Sequence, residues 1–223
     1  TDGAGSARTG AYAAFTDAEM MQIRVQEQRK AAMVGDYAAM IQLAHPSAVV
    51  KDAASSGLTA DLVKVFEAAH PEIVYTHNPA DKHATHIGIV VAVVDAIRQL
   101  PLADRPKRLL GCEVWRDLDW LQDDEKVAMD VSDREGLANA LIGIFDSQVA
   151  GGKRYDLASS GRRRANATYF ASHATDNTEA LWFAMDLTPL IHNETVDIVT
   201  FTLAHIQRFA DSVQQTLEKR LGR

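Results

Sequence analysis

EIVYTHNPADKHATHIGIVVAVVDAIRQL, residues 72–100, runs from a short apolar segment through a loop holding three histidines into a longer apolar segment. The first segment, through Ile73, Val74 and Tyr75, has no polar alternation. It reads as a strand of the continuous kind that parallel sheets bury on both faces. The second, residues 84–100, is long enough for a helix. In open parallel sheets, ligands gather outside the carboxyl ends of the strands, where this loop would lie.

Working outward, helix and strand signals alternate. Thr16 or Asp17 caps a helix running to about Val34, with Glu19 completing a capping box and Gly35 ending it. YAAMIQL (37–43) reads as a short strand, followed by a turn at His45-Pro46-Ser47. Thr59 caps a helix over 60–69, closed by His70-Pro71. RLLGCEVW (108–115), DDEKVAMDVS (123–132) and ALWFAMDL (180–187) read as further strands, separated by helices over 134–149 and 156–172. The last helix, 194–221, carries Ile198, Phe201, Leu203, Ile206, Phe209, Val213 and Leu217 near helical spacing. This alternation predicts an α/β fold with a mostly parallel sheet. No repeat or linker interrupts it, so one domain over 1–223 is the expectation.

The chain has 223 residues, 47% of them hydrophobic, and a formal charge of −7. An acidic balance argues against nucleic acid as the main partner. The one basic cluster, Arg162–Arg164, reads as a solvated helix face or, alternatively, an attractor for a phosphorylated sugar. The lone cysteine, Cys112, sits in an apolar strand and reads as a small hydrophobe in a reducing compartment. No stretch spans a membrane and no signal peptide is visible, so the cytoplasm is the expected location.

Several residues have two readings from spacing alone. His83 and His86 stand three apart at a helix start and share a face. They could flank a metal, or one could bind it while the other meets a substrate; the plain alternative is a polar first turn. Asn78 and Asp81 add polar groups to the same loop, and Asp81 could equally cap the helix. Glu113, Trp115 and Arg116 follow a strand, where Arg116 could meet a sugar or phosphate oxygen or join a surface ion pair. Trp115 and Trp120 could stack on a sugar ring or pack at the core rim. His173 and His205 read as helix residues without chemistry.

The order of the segments adds a further reading. YTHNPADKHATH (75–86) resembles the second histidine motif of the PIG-L/LmbE-type zinc-dependent N-deacetylases. TDGAGSAR (1–8) resembles the loop of that family ending in arginine. Arg24 and Glu27 resemble its Arg-x-x-Glu helix, and Ser147-Gln148 its late Ser-Gln helix. The resemblance implies a Rossmann-like three-layer fold and removal of an acetyl group from an N-acetylglucosamine-type substrate. It implies His86 as a ligand to zinc or another divalent ion and His83 as the residue over the substrate carbonyl. Arg8, Asn78, Asp81 and Arg116 are the expected substrate contacts. The branch it most resembles accompanies glucosamine-6-phosphate deaminases, so fusion or association with one, and assembly of like chains, are expected partners.

The sequence departs from the family in two places. Thr85 stands where many members have aspartate between the histidines, and Asp81 is the expected substitute. The family's His-Pro-Asp-Asp motif, which supplies two ligands and a base, precedes the loop at which this chain starts. Its strand and helix are therefore expected to be missing, and the chain alone to be inactive. Zinc in a hydrolase needs three protein ligands and an open position for water. The alternative is a binding or regulatory domain that keeps the fold without a complete metal site.

Overall fold

The computed structural model describes residues 1–223. The chain forms two compact units, one from Thr1–Ser55 with Asp130–Trp182, the other from Ser56–Met129 with Phe183–Arg223. Each unit is built from two separated segments, so no linker marks a boundary between them along the chain.

The first unit is mostly helical. Helix α1 (Asp17–Val34) starts at the expected capping box. The Glu19 amide donates to Thr16 Oγ1, and the Thr16 amide donates back to Glu19 Oε2 at 2.8 Å. Gly35 ends it, as expected. Its buried residues, Met20, Glu27 and Ala31, fall on one face by helical spacing. That face meets α5 (Glu135–Ile144) and α6 (Asp146–Val149), and α7 (Tyr155–Tyr169) packs on both of the latter. A short α2 (Ser47–Lys51) completes the unit.

The second unit carries the sheet. In chain order it has α3 (Gly57–Ala69), β1 (Ile73–His77), α4 (Ala84–Gln99), β2 (Arg108–Cys112), β3 (Lys126–Asp130), β4 (Leu181–Asp186), α8 (Thr188–His192) and α9 (Ile198–Leu221). The strand order is β1-β2-β4-β3. β1 and β2 are parallel, with Ile73 opposite Arg108 and His77 opposite Cys112. Between them the chain crosses over through α4, whose Val90, Val93, Val94 and Ile97 bury one stripe. Leu109, Leu110, Met185, Leu187, Leu190 and Ile191 fill the core, each burial worth about 1.5–3 kcal/mol against solvent. Arg98 Nε donates to Leu190 O and Arg105 Nη1 to Ile191 O, both at 2.7 Å. They satisfy carbonyls near the end of α8 that the helix itself leaves open.

The α/β class holds, and the structure refines it. β4 runs antiparallel to β2, with Leu110 opposite Asp186. A buried apolar run such as LWFAMD looks the same from sequence in either direction. YAAMIQL is no strand: residues 37–43 are irregular, and Tyr37 and Ile41 are exposed, so nothing buries the run. The second helix starts at Gly57, two residues ahead of Thr59, and α2 begins right after Pro46 where a turn is expected. The helix expected over 134–149 breaks at Phe145, whose ψ of 53° leaves the helical region. The last helix starts only at Ile198, where Asp197 caps it, and α8 precedes it. No helix is long and apolar enough to cross a membrane.

Candidate metal centre

β1 ends at His77, and the loop that follows turns at once. Asn78 is fully buried; its Oδ1 accepts the Ala80 amide at 2.8 Å and its carbonyl accepts the Asp81 amide at 3.1 Å. This Asx turn folds the chain back and aims Asp81 into the loop's interior. Asn78 Nδ2 lies 3.5 Å from Met185 Sδ on β4, which fixes the turn against the sheet. Asn78 is thus a builder of the loop, with both ends of its amide occupied.

The Asp81 carboxylate is the hub. One oxygen accepts the His83 amide at 2.8 Å, and the other lies 3.0 Å from His86 Nδ1. His83 Nδ1 stands 3.5 Å from the first oxygen and, though buried, has no hydrogen-bond partner. Burial pulls the Asp81 pKa upward. The His83 amide and the His86 ring outweigh it and hold the carboxyl below its ordinary range. Asp81 is therefore an anion at neutral pH, and it is not the helix cap: the N-cap of α4 is His83, whose amide Asp81 holds from the loop before it.

His77 stacks on His86, ring centroids 4.0 Å apart and planes within 7°. Burial, reinforced by the neighbouring His86, lowers the His77 pKa to about 4, so this ring is neutral at pH 7. His77, Asp81 and His86 each present a ligand atom within 4.8 Å of the others. Two imidazoles and a carboxylate form a donor set that suits zinc and similar divalent ions. The Asp81 contact engages His86 Nδ1 and leaves Nε2 for a metal, the arrangement by which carboxylates commonly orient ligating histidines. His77 enlarges the set read from spacing. Its signal was its place at the carboxyl end of a parallel strand, which the His-x-x-His spacing obscured.

His83 sits on the open side of this cluster. Its ring lies 5.0 Å from His86 and 4.5 Å from the Trp115 indole. Trp115 is placed by a second turn, after β2. There the buried Glu113 carboxylate accepts the Trp115 amide at 2.7 Å and the Arg116 amide at 2.6 Å. Asp117 and Leu118, both buried, follow with φ of 52° and 58°. Two successive non-glycine residues in the left-handed region store strain of about 1–3 kcal/mol each, a cost met chiefly at ligand clamps. Lys82 Nζ lies 6.0 Å from the Trp115 ring. Arg116 is exposed at the edge of this turn.

The structure thus brings His83, His86, Asp81, Asn78 and Arg116 into the second unit's two neighbouring loops. Arg8 belongs to the first unit. Its guanidinium donates to Phe15 O and Ala4 O, both at 2.7 Å, and pairs with Asp17. In the same unit the Arg24/Glu27 and Ser147/Gln148 motifs prove to be connected. Glu27 accepts the Ser147 amide at 2.8 Å and its hydroxyl at 2.7 Å, and Arg24 Nη2 donates to Ser6 Oγ at 2.6 Å.

Residues 1–97 match the family described as PIG-L, GlcNAc-PI de-N-acetylase. The matched stretch includes the opening loop, α1 and the whole histidine loop. The fold is similar to the crystal structure of a conserved protein from Thermus thermophilus, TT1542. That similarity has a TM-score of 0.60 at 16% identity and covers 79% of this chain and 78% of that one. No protein of curated function matches the sequence. The resemblance to the de-N-acetylase family thus holds over residues 1–97, and the fold extends beyond it.

Proposed function

We propose that the chain forms the substrate wall of a zinc-dependent hydrolase that removes an N-acetyl group from an N-acetylglucosamine-type sugar or conjugate. The observation that carries this reading is the Asp81-centred cluster itself. One buried carboxylate engages the ring of His86 and the backbone of His83, inside the stretch that matches the de-N-acetylases.

His86 would hold the ion through Nε2, with His77 as the neighbouring donor and Asp81 behind the His86 ring. When bound, zinc supplies a Lewis acid and lowers the pKa of its water toward ~7. The other contributions come from the protein's own residues. Asp81 keeps the His86 ring in one orientation and tautomer. His83, clamped at its amide and flanked by Trp115, offers a ring N–H to the oxygen that gains charge as the amide carbon becomes tetrahedral. The Trp115 face gives a sugar ring an apolar surface to stack on. Arg116 at the rim meets the sugar's outer oxygens.

The test is acetate release from N-acetylglucosamine and its conjugates by the full natural gene product, before and after metal removal. Zinc-dependent release, lost in His86→Ala and lowered about 10²-fold or more in His83→Ala, is expected. Release indifferent to zinc and to both substitutions overturns the reading.

A further inference from the structure

Helix α9 carries an apolar stripe with nothing on it. Val199, Leu203, Val213 and Leu217 are 60, 56, 44 and 57% exposed. With Ile206 and Ala210 they repeat every three or four residues, the spacing of a coiled-coil seam. At about 100° per residue all six fall within roughly 40° of one line along the helix. The helix is held to its own unit by the adjoining face, with Thr202 at its border with the stripe and Ile206 half-buried. Thr202 is buried, Gln122 Nε2 donates to Arg208 O at 3.1 Å, and Glu125 pairs with Arg208 and lies 4.0 Å from His205. The contact that anchors α9 therefore leaves the seam free.

We propose that this seam pairs with α9 of a second copy of the chain, antiparallel, about a twofold axis near Arg208. The register follows from the repeat. Val199 meets Leu217, Leu203 meets Val213 and Ile206 meets Ala210, each pair occurring twice, so no seam residue lacks an apolar partner. The small Ala210 opposite Ile206 lets the helix axes approach closely. Charge selects the direction. Asp197 caps the N-terminal end, while Lys219 and Arg220 occupy the last turn. Antiparallel pairing sets Asp197 beside the partner's Lys219; parallel pairing sets Arg220 on Arg220. The positions flanking the seam, among them Gln207, Phe209, Gln214 and Thr216, are uncharged, so like chains meet without repulsion. An isologous contact of this kind closes on itself as a dimer.

Sedimentation equilibrium of the full natural gene product over about 1–100 μM tests this. A dimer is expected, with its Kd raised at least about tenfold by Leu203→Glu and by Leu217→Glu, while circular dichroism stays unchanged. Both residues are exposed, so neither charge disturbs the fold. The double variant Val199→Cys/Leu217→Cys should form an oxidised covalent dimer that neither single variant forms. A monomer throughout the range, a dimer untouched by Leu203→Glu, or cross-linking of the single variants each overturns the proposal. The outcome is independent of whether the protein hydrolyses anything.

Discussion

Replacing Glu27 should expose how much the first unit depends on one buried carboxylate. The side chain is nearly inaccessible and accepts two hydrogen bonds from Ser147, one from the amide and one from the hydroxyl. Bonds to a charged acceptor contribute about 1.5–3 kcal/mol each, so Ser147→Ala, which keeps the amide bond, should cost about 1.5–3 kcal/mol. Glu27→Ala strands both donors at about 1–3 kcal/mol each. It also removes the negative charge near Arg24, whose Nε lies 3.8 Å from Glu27 Oε2. Burial already lowers the Arg24 pKa, and the Glu27 charge is what opposes it. The sum, about 3–6 kcal/mol, is a large part of the ~5–15 kcal/mol typical of a whole domain. Glu27→Gln keeps one acceptor and turns a donor toward the other, which places it between the two. Urea denaturation followed by circular dichroism at pH 7 gives all three values. In the double variant Glu27→Ala/Ser147→Ala the hydroxyl bond is not lost twice and no hydroxyl is stranded, so the cost should fall short of the sum by at least about 2 kcal/mol. A Glu27→Ala cost below about 1 kcal/mol, or strict additivity within about 0.5 kcal/mol, would show that the network does not hold α1 to α6.

Three further outcomes follow from the site and its supports. Unfolded His77 takes up a proton near pH 6.5, the folded residue only near 4. Metal-free protein should therefore lose stability as pH falls through that window, by about 3 kcal/mol at roughly 1.4 kcal/mol per unit. His77→Phe should flatten this part of the urea-midpoint profile; an unchanged slope refutes the assignment. Asp81→Asn should weaken zinc binding by about 10–100-fold in competition titration, and nitrogen NMR of the metal-free protein should show His86 leaving a single Nδ1–H tautomer. Unaltered tautomer and affinity would deny Asp81 its orienting role. Thr16→Ala, which opens the capping box of α1, should lower stability by about 1 kcal/mol, and Thr16→Ser should restore most of it; equal stability of all three would discount the cap.

What could be read beforehand was whatever short-range chemistry decides. The start and end of α1 follow from Thr16, Glu19 and Gly35, and the strand–loop–helix passage from residue 73 to 99 follows from apolar run length. Strand direction was not legible, because it depends on connections and not on the run itself. That is why β4 turns out antiparallel to β2. Residues 37–43 have strand-like composition with no neighbour to pair with, and pairing is a property of the fold. The helix break at Phe145 lies two residues ahead of Ser147, whose amide and hydroxyl are both bound to Glu27. A long-range contact there competes with local helix preference.

The same division runs through the site. The spacing of His83 and His86 places them on one face but leaves open which atom orients which. Asp81 settles it, because its two oxygens reach the His83 amide and His86 Nδ1 at once. A carboxylate between the two histidines in sequence would project from the helix's first turn. Asp81 reaches them from the loop before it, held by the Asx turn of Asn78. Thr85, between the two histidines, brings no charge, and the cluster has its anion all the same. Asp81 supplies it from two residues upstream of His83, at a buried position where it contacts both residues. A substitution that looks disabling in the motif is thus consistent with a working one once the backbone is traced. The discriminating experiment is Thr85→Asp. If Asp81 already does the orienting, a second anion should raise zinc affinity little, by less than about threefold. If Thr85 marks a lost function, the gain should approach the ~10–100-fold associated with such a partner.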